Sequence, residues 1–208
     1  MKKLTIMAMM LLASMATFAQ AKSTAKEKAP KWKVRLRIID AIPPSTSYKL
    51  TTSDVKISSS VVPELDFSYY FNKFLAAELI LGTTHHKVSA KSSTASTELG
   101  KIWLLPPTLN LQFHYPVKNF EPYVGAGINY TIFYGAKDEA ASLGYKNRAG
   151  FSTQLGFDYK IGKKFFLNFD MKKIFLKTDV TIKGTPATVL SNVKVDPFVI
   201  GLGAGLQF

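Results

Sequence analysis

From Trp32 onward apolar and polar residues alternate with a period of two, the side-chain repeat of a β-strand, in eight separate segments. Trp32, Val34, Leu36 and Ile38 stand against Lys33, Arg35 and Arg37, and the row Val61 to Phe71 stands against Glu64, Asp66 and Ser68. Leu75, Ala77, Leu79 and Leu81 oppose Glu78, Ile80 and Gly82. A fourth segment runs Trp103 to Tyr115 against Leu104, Thr108, Asn110, Gln112 and His114. Val124 to Ile132 alternates with Gly125, Gly127, Asn129 and Thr131; Phe151 to Tyr159 with Gly150, Ser152, Gln154, Gly156 and Asp158; and Phe165 to Met171 with Asn168, Asp170 and Lys172. The eighth segment, Phe198 to Phe208, carries apolar residues at every even position and ends the chain on an aromatic.

Lys, Asp, Asn, Pro or Gly interrupts every apolar stretch after residue 21 well short of the roughly 20 residues a spanning helix needs. A chain that crosses a bilayer with strands must close them into a barrel, because lipid satisfies no backbone hydrogen bond. The pattern therefore predicts an all-β fold, an eight-stranded antiparallel up-and-down transmembrane β-barrel over residues 32–208. Its connections alternate in length. Asn72-Lys73, Pro116 to Glu121 and Gly162-Lys163 are short. Pro43 to Ser58, Lys87 to Glu98, Gly135 to Tyr145 and Thr178 to Asn192 are long and rich in Ser, Thr, Lys and Gly. Short periplasmic turns and long external loops are the usual asymmetry of such barrels, so both barrel termini are expected in the periplasm. Outward aromatics at that end, Trp32, Tyr69, Phe71, Phe113, Tyr115, Tyr123, Tyr159, Phe165 and Phe208, would form an interfacial girdle. A soluble calyx of lipocalin type has the same alternation with its rings turned inward. The aromatic register, the terminal Phe208 and the charged opposite row favour the membrane.

The N-terminus fits that address. Lys2 and Lys3 precede a mainly apolar run from Leu4 to Phe18 and the small residues Ala19-Gln-Ala21, the layout of a secretory signal. Residues 1–21 are expected to be cleaved after Ala19 or Ala21, leaving 22–31 as a Lys-rich periplasmic extension. The absence of cysteine fits an exported chain stabilised without disulfides, but also fits many others. The formal net charge of +13 falls to +11 without Lys2 and Lys3. No basic stripe with interleaved aromatics appears, which argues against nucleic acid. Lys49, Lys56, Lys87, Lys91, Lys137, Lys146, Arg148, Lys177 and Lys183 lie near the expected outer rim. They could meet lipopolysaccharide phosphates, although generic solvated loops explain them as well.

The inward row divides in two. Toward the periplasm it holds Arg35, Arg37, Glu64, Asp66, Glu78, Asn110, Gln112, Asp158, Asn168 and Asp170, opposite charges at similar depth in a lumen only wide enough for side chains. An unpaired buried charge costs several kcal/mol, so a salt-bridged plug is expected. Toward the outside the same parity brings in Ile39, Val62, Ile80, Ile102, Leu104, Phe133, Ile174, Leu176, Val195 and Val199, an apolar upper lumen. Pro106 and Pro107 remove two backbone donors inside the fourth strand, so the wall should gap or bend there. Such a defect would serve either as a lateral opening or as a bulge that only sets curvature.

The runs Val62-Pro-Glu-Leu-Asp66 with Tyr69-Tyr-Phe71, Leu104-Leu-Pro-Pro-Thr108, Pro122-Tyr-Val-Gly-Ala-Gly-Ile-Asn-Tyr-Thr131, Gly156-Phe-Asp-Tyr159, Leu167-Asn-Phe-Asp170 and Val195-Asp-Pro197, with the ending on Phe208, make the chain resemble the outer membrane protein W (OmpW) family. The resemblance implies an eight-stranded barrel with a narrow, partly hydrophobic channel that admits small hydrophobic molecules. Members often place a short helix in the third outer loop, whereas Lys137 to Leu143 leaves room for one turn at most. Phe208 looks like the terminal signal read by the barrel assembly machinery.

Candidate chemistry is sparse. His85 and His86 lie near Ser89, Ser92, Ser93 and Ser96, but only His86 faces inward and no acid is fixed beside it. Adjacent strand residues point to opposite faces, so the pair is a poor metal site. Neither Gly125-Ala-Gly127 nor Gly201 to Gly205 opens a helix as a phosphate loop would. No enzyme, cofactor or metal is expected. The sequence points to a passive channel or carrier for small hydrophobic or amphipathic solutes in the outer membrane. The alternative is a barrel that acts through its loops, as an adhesin, receptor or stress-related surface protein.

Overall fold

A computed structural model describes residues 30–208 apart from 46–47, 50–53, 93–94, 139–141 and 184–187. The expected signal peptide and residues 22–29 of the expected extension lie outside the described residues, as does Ser93. Eight antiparallel strands form the barrel: β1 (Trp32–Ile42), β2 (Ser60–Tyr70), β3 (Leu75–Gly82), β4 (Thr108–His114), β5 (Phe120–Asp138), β6 (Arg148–Lys160), β7 (Phe165–Phe175) and β8 (Phe198–Gln207). Each pairs with the next in the chain, and β8 pairs back with β1 from Lys33↔Gln207 to Ile42↔Phe198. Trp32 and Phe208 complete the closure by exchanging two backbone hydrogen bonds of 2.9 Å. Each of the eight strands thus has a paired neighbour on both sides, as strands in lipid require.

At the turn end the connections are tight. The Asn72 side chain accepts the Phe74 and Leu75 amides at 2.8 and 2.9 Å, a local bond that lets the chain reverse within four residues. The opposite end departs from the sequence reading. The composition of the four long connections predicts loops, yet much of each is paired strand. Thr84–Lys91 prolongs β3 and pairs with Ser96–Leu105, and Asp54–Ile57 pairs with Thr84–Lys91. Ser142–Tyr145, Lys177–Lys183 and Thr188–Lys194 form a separate three-stranded sheet. Val, Ile and Thr recur at alternate positions there (Val55, Ile57, Val88, Val180, Ile182), which suits a pleated surface despite the many hydroxyls and lysines. Lys137, Asp138, Ser142 and Leu143, the stretch considered for a helical turn, are likewise extended around residues outside the description.

The apolar row faces out. Ile38, Val61, Ile128, Phe151 and Leu202 are each 60–69% exposed, whereas Arg35, Arg37, Asp66, Glu78 and Asp158 are completely enclosed. Such a surface suits hydrocarbon and is the reverse of a soluble calyx. Among the girdle residues, Trp32, Phe71, Phe113, Tyr115, Tyr159 and Phe208 are exposed at the turn end. Tyr123 is a correction: it is 2% exposed and faces inward. On β5 the inward parity is that of Glu121, Asn129 and Thr131, to which Tyr123 belongs, and Phe120 takes the outward place.

Candidate functional site

Inside the turn half, one network crosses the lumen. Arg35 Nη1 contacts Asp66 Oδ1 at 2.8 Å and Arg35 Nη2 contacts Asp158 Oδ2 at 3.1 Å, while Arg35 also donates to Ser68. Arg37 reaches four carboxylates, with Nε 2.9 Å from Glu64, Nη2 2.7 Å from Asp66 and 3.2 Å from Glu78, and Nη1 3.4 Å from Asp170. Neighbouring strands carry these groups at matching height, since Arg35 is paired with Asp66 and Arg37 with Glu64 across β1 and β2. All seven charged residues singled out from sequence, Arg35, Arg37, Glu64, Asp66, Glu78, Asp158 and Asp170, thus lie in one cluster.

Several members of it are not among these seven. Lys172 binds Glu64 at 2.7 Å and Asp170 at 3.1 Å, and Lys33 bridges Glu121 at 2.7 Å and Asp158 at 2.8 Å. Lys33 and Lys172 stand on the inward parity of their strands, so the pattern held the signal. Glu121 falls in the turn that the sequence assigns to Pro116 to Glu121, and only the start of β5 at Phe120 brings it inside. Glu121 further accepts from Tyr70 at 3.0 Å and contacts His114 at 3.1 Å and Lys160 at 3.0 Å. His114, Glu121 and Asp158 have metal-ligand spacing, but the Lys33 ammonium already lies between the two carboxylates. Tyr123 donates to Asp170 at 2.8 Å, and Asn110, Gln112, Gln154 and Asn168 join the remaining gaps.

Above this network lies a cavity. Ile39, Ile80, Ile102, Leu104, Phe133, Leu176 and Val199 line it, with Ile174 and Val195, and Val62 packs behind Ile39 and Val199. Val55, Val88, Val180, Leu190 and Val193 form one buried apolar cluster with Ile102, Leu104, Ile174, Leu176 and Val195. Val55, Val88, Val180 and Leu190 stand in segments the alternation assigns to loops, and Val193 directly follows the last of them. Lys172 and Glu64 form the floor, so the ionic network and the cavity share a boundary.

Pro106 and Pro107 fall in the cavity wall, between Ser96–Leu105 and β4. Toward β3 the pairing stops at Ile80↔Thr108 and resumes at Thr84↔Leu104, four residues on in both strands. No residue is inserted, so the defect is a gap in the ladder and not a bulge; register shifts lie elsewhere, at Val88/Ser89 and Lys101/Trp103. Toward β5 the Tyr130 amide still donates to the Pro107 carbonyl at 3.0 Å. Asn129 Nδ2 reaches the Pro106 and Pro107 carbonyls at 3.2 and 3.4 Å and Thr108 Oγ1 at 2.8 Å. On the lipid side, Pro107, Leu109, Ile128, Tyr130 and Phe151 border a surface groove. Thr108 lines both this groove and the inner cavity.

Comparison with known proteins places the chain. It is 40% identical over 183 residues to the outer-membrane protein y4mB of Sinorhizobium fredii, covering 85% of this chain and 80% of the relative. It is 32% identical to outer membrane protein AlkL of Ectopseudomonas oleovorans over 165 residues, 76% of this chain and 71% of that one. The crystal structure of outer membrane protein OprG from Pseudomonas aeruginosa superposes with a TM-score of 0.77 at 26% identity, over 88% of this chain and 97% of OprG. The family model described as "OmpW family" matches residues 28–208. With its closed eight-stranded barrel, the chain is an outer-membrane protein and belongs to the OmpW family.

Proposed function

We propose that this barrel admits small hydrophobic or amphipathic molecules passively from the cell exterior into its upper lumen and releases them sideways near Pro106 and Pro107. The observation that carries the reading is the shared boundary of three features. An apolar cavity rests on the Lys172–Glu64 floor, its wall has an unladdered gap on the β3 side of Pro106 and Pro107, and a lipid-facing groove borders Pro107 and Thr108 on the β5 side.

Each feature has a physical consequence. Burial of an apolar solute in the cavity is favourable by about 25 cal/mol per Å² of apolar surface. The ionic network below resists axial passage, because opening it would leave carboxylates and cations enclosed without partners, at a cost of about 3–5 kcal/mol per broken pair. The wall gap lacks the backbone bonds that elsewhere hold strands together, so it is the weakest part of the barrier to the outer leaflet. Lipid and lipopolysaccharide surround the barrel. Export with loss of residues 1–21 and insertion through the assembly machinery reading Phe208 belong to the same proposal.

The test is solute uptake into liposomes carrying the pure protein and its Pro106→Val/Pro107→Val double variant. Restored strand pairing should slow uptake of a hydrophobic solute severalfold while the barrel stays folded. Unchanged uptake by the folded variant removes the lateral route. No uptake by the unaltered protein removes the transport reading and leaves the loop-based surface role.

A further inference from the structure

His86 stands apart from the other polar residues of the cavity. It is 4% exposed, lies opposite Ile102 in the paired strands Thr84–Lys91 and Ser96–Leu105, and lines the apolar cavity. Its Nδ1 is 2.6 Å from the Ser58 backbone oxygen. A carbonyl oxygen only accepts, so Nδ1 carries the hydrogen. Among the described residues this ring makes no ion pair, Asp40 acts on it only at longer range, and burial among Ile, Leu and Val disfavours an imidazolium. The ring is therefore the neutral Nδ1–H tautomer, and Nε2 holds a fixed lone pair with no hydrogen-bond partner among the described residues.

The other polar groups bordering the cavity are mostly committed. Thr108, Thr131 and Thr178 donate to the Pro106 carbonyl, Asn129 Oδ1 and the Lys146 carbonyl. Lys172 and Glu64 are tied to each other and to the ionic network. Thr84 is two residues from His86 on the same face, but a hydroxyl rotor serves as donor or acceptor alike.

We infer that His86 Nε2 is a polar anchor that makes the cavity prefer apolar solutes bearing an O–H donor, such as medium-chain alcohols and protonated fatty acids, over solutes of equal size that only accept. The inference rests on the proposed uptake of hydrophobic molecules and deepens it. The solute hydroxyl donates to Nε2 while its chain lies along Ile80, Ile102 and Leu104. An ether or ester oxygen offers a lone pair to a lone pair and gains nothing.

Two isomers separate the outcomes, octan-1-ol and heptyl methyl ether, which have the same atoms and differ in the donor. Binding to the protein in nanodiscs, corrected for partition into protein-free discs, is followed by the Ile80 and Ile102 methyl resonances and the His86 Nε2 nitrogen resonance. The alcohol should bind roughly three- to tenfold tighter, as expected for one net hydrogen bond, and it alone should move the Nε2 signal. His86→Leu should erase that preference while the ether binds as before, and Thr84→Val should preserve it. If both isomers move the isoleucine methyls, yet Nε2 stays still and folded His86→Leu keeps the preference, the anchor is refuted and the uptake reading stands. If neither isomer reaches the methyls, both fall.

Discussion

Lys172 Nζ lies 2.7 Å from Glu64 Oε1, and this pair is at once the top of the ionic network and the floor of the apolar cavity. Its partners rank the network by consequence. Arg37 touches Glu64, Asp66, Glu78 and Asp170, whereas Lys172 touches two carboxylates that Arg37 also serves. Arg37→Met should therefore lower stability by about 3–5 kcal/mol, and Lys172→Met by distinctly less. Urea unfolding of the reconstituted barrel, followed by tryptophan fluorescence, measures both.

Gly203 faces Arg37 across β8 and β1, and a Cβ there would sit 2.2 Å from the Leu36 carbonyl oxygen and 2.8 Å from Arg37 Cα and Cγ. Backbone cannot retreat without opening the barrel seam. Gly203→Val should cost at least about 1–3 kcal/mol and reduce the heat-modifiable folded band on a gel. Gly82→Ala is the control, because its nearest atom would be Glu64 Cγ at 3.6 Å, an ordinary contact.

Asn129 caps the proline gap from inside. Asn129→Ala leaves the Pro106 carbonyl and the Thr131 hydroxyl without that partner, a loss of about 1–3 kcal/mol. Exchange of the Tyr130 amide, whose acceptor is the Pro107 carbonyl, should accelerate. Uptake of a hydrophobic solute should rise if the gap is its exit.

Asp179, in the outer strand Lys177–Lys183, accepts the Asn192 amide at 3.2 Å and binds Arg148. The Asn192 amide first, and Arg148 second, hold its carboxyl below the ordinary aspartate range. A depressed folded value means that the contribution to the outer hairpin is complete above the unfolded value of about 3.9 and fades as pH falls through the lower folded value. The Asn192 amide resonance should titrate only in that acid window and should lose the transition in Asp179→Asn.

The period-two alternation determined the strand count, the face turned to lipid and the inward placement of every charged plug residue it named, because a strand's side chains have two directions and the bilayer accepts only one of the two rows here. The same parity held Lys33 and Lys172, and misassignment of one position put Tyr123 on the wrong face. Tertiary structure decided the rest. Which cation meets which carboxylate depends on cross-lumen distances between strands as far apart in sequence as Lys33 and Asp158. The four long connections became strands because neighbouring segments offered backbone partners, which local composition does not report. Whether Pro106 and Pro107 make a bulge or a gap was settled by the equal spacing of Ile80 and Thr84 opposite Thr108 and Leu104. A pattern fixes direction; only the closed sheet fixes distance.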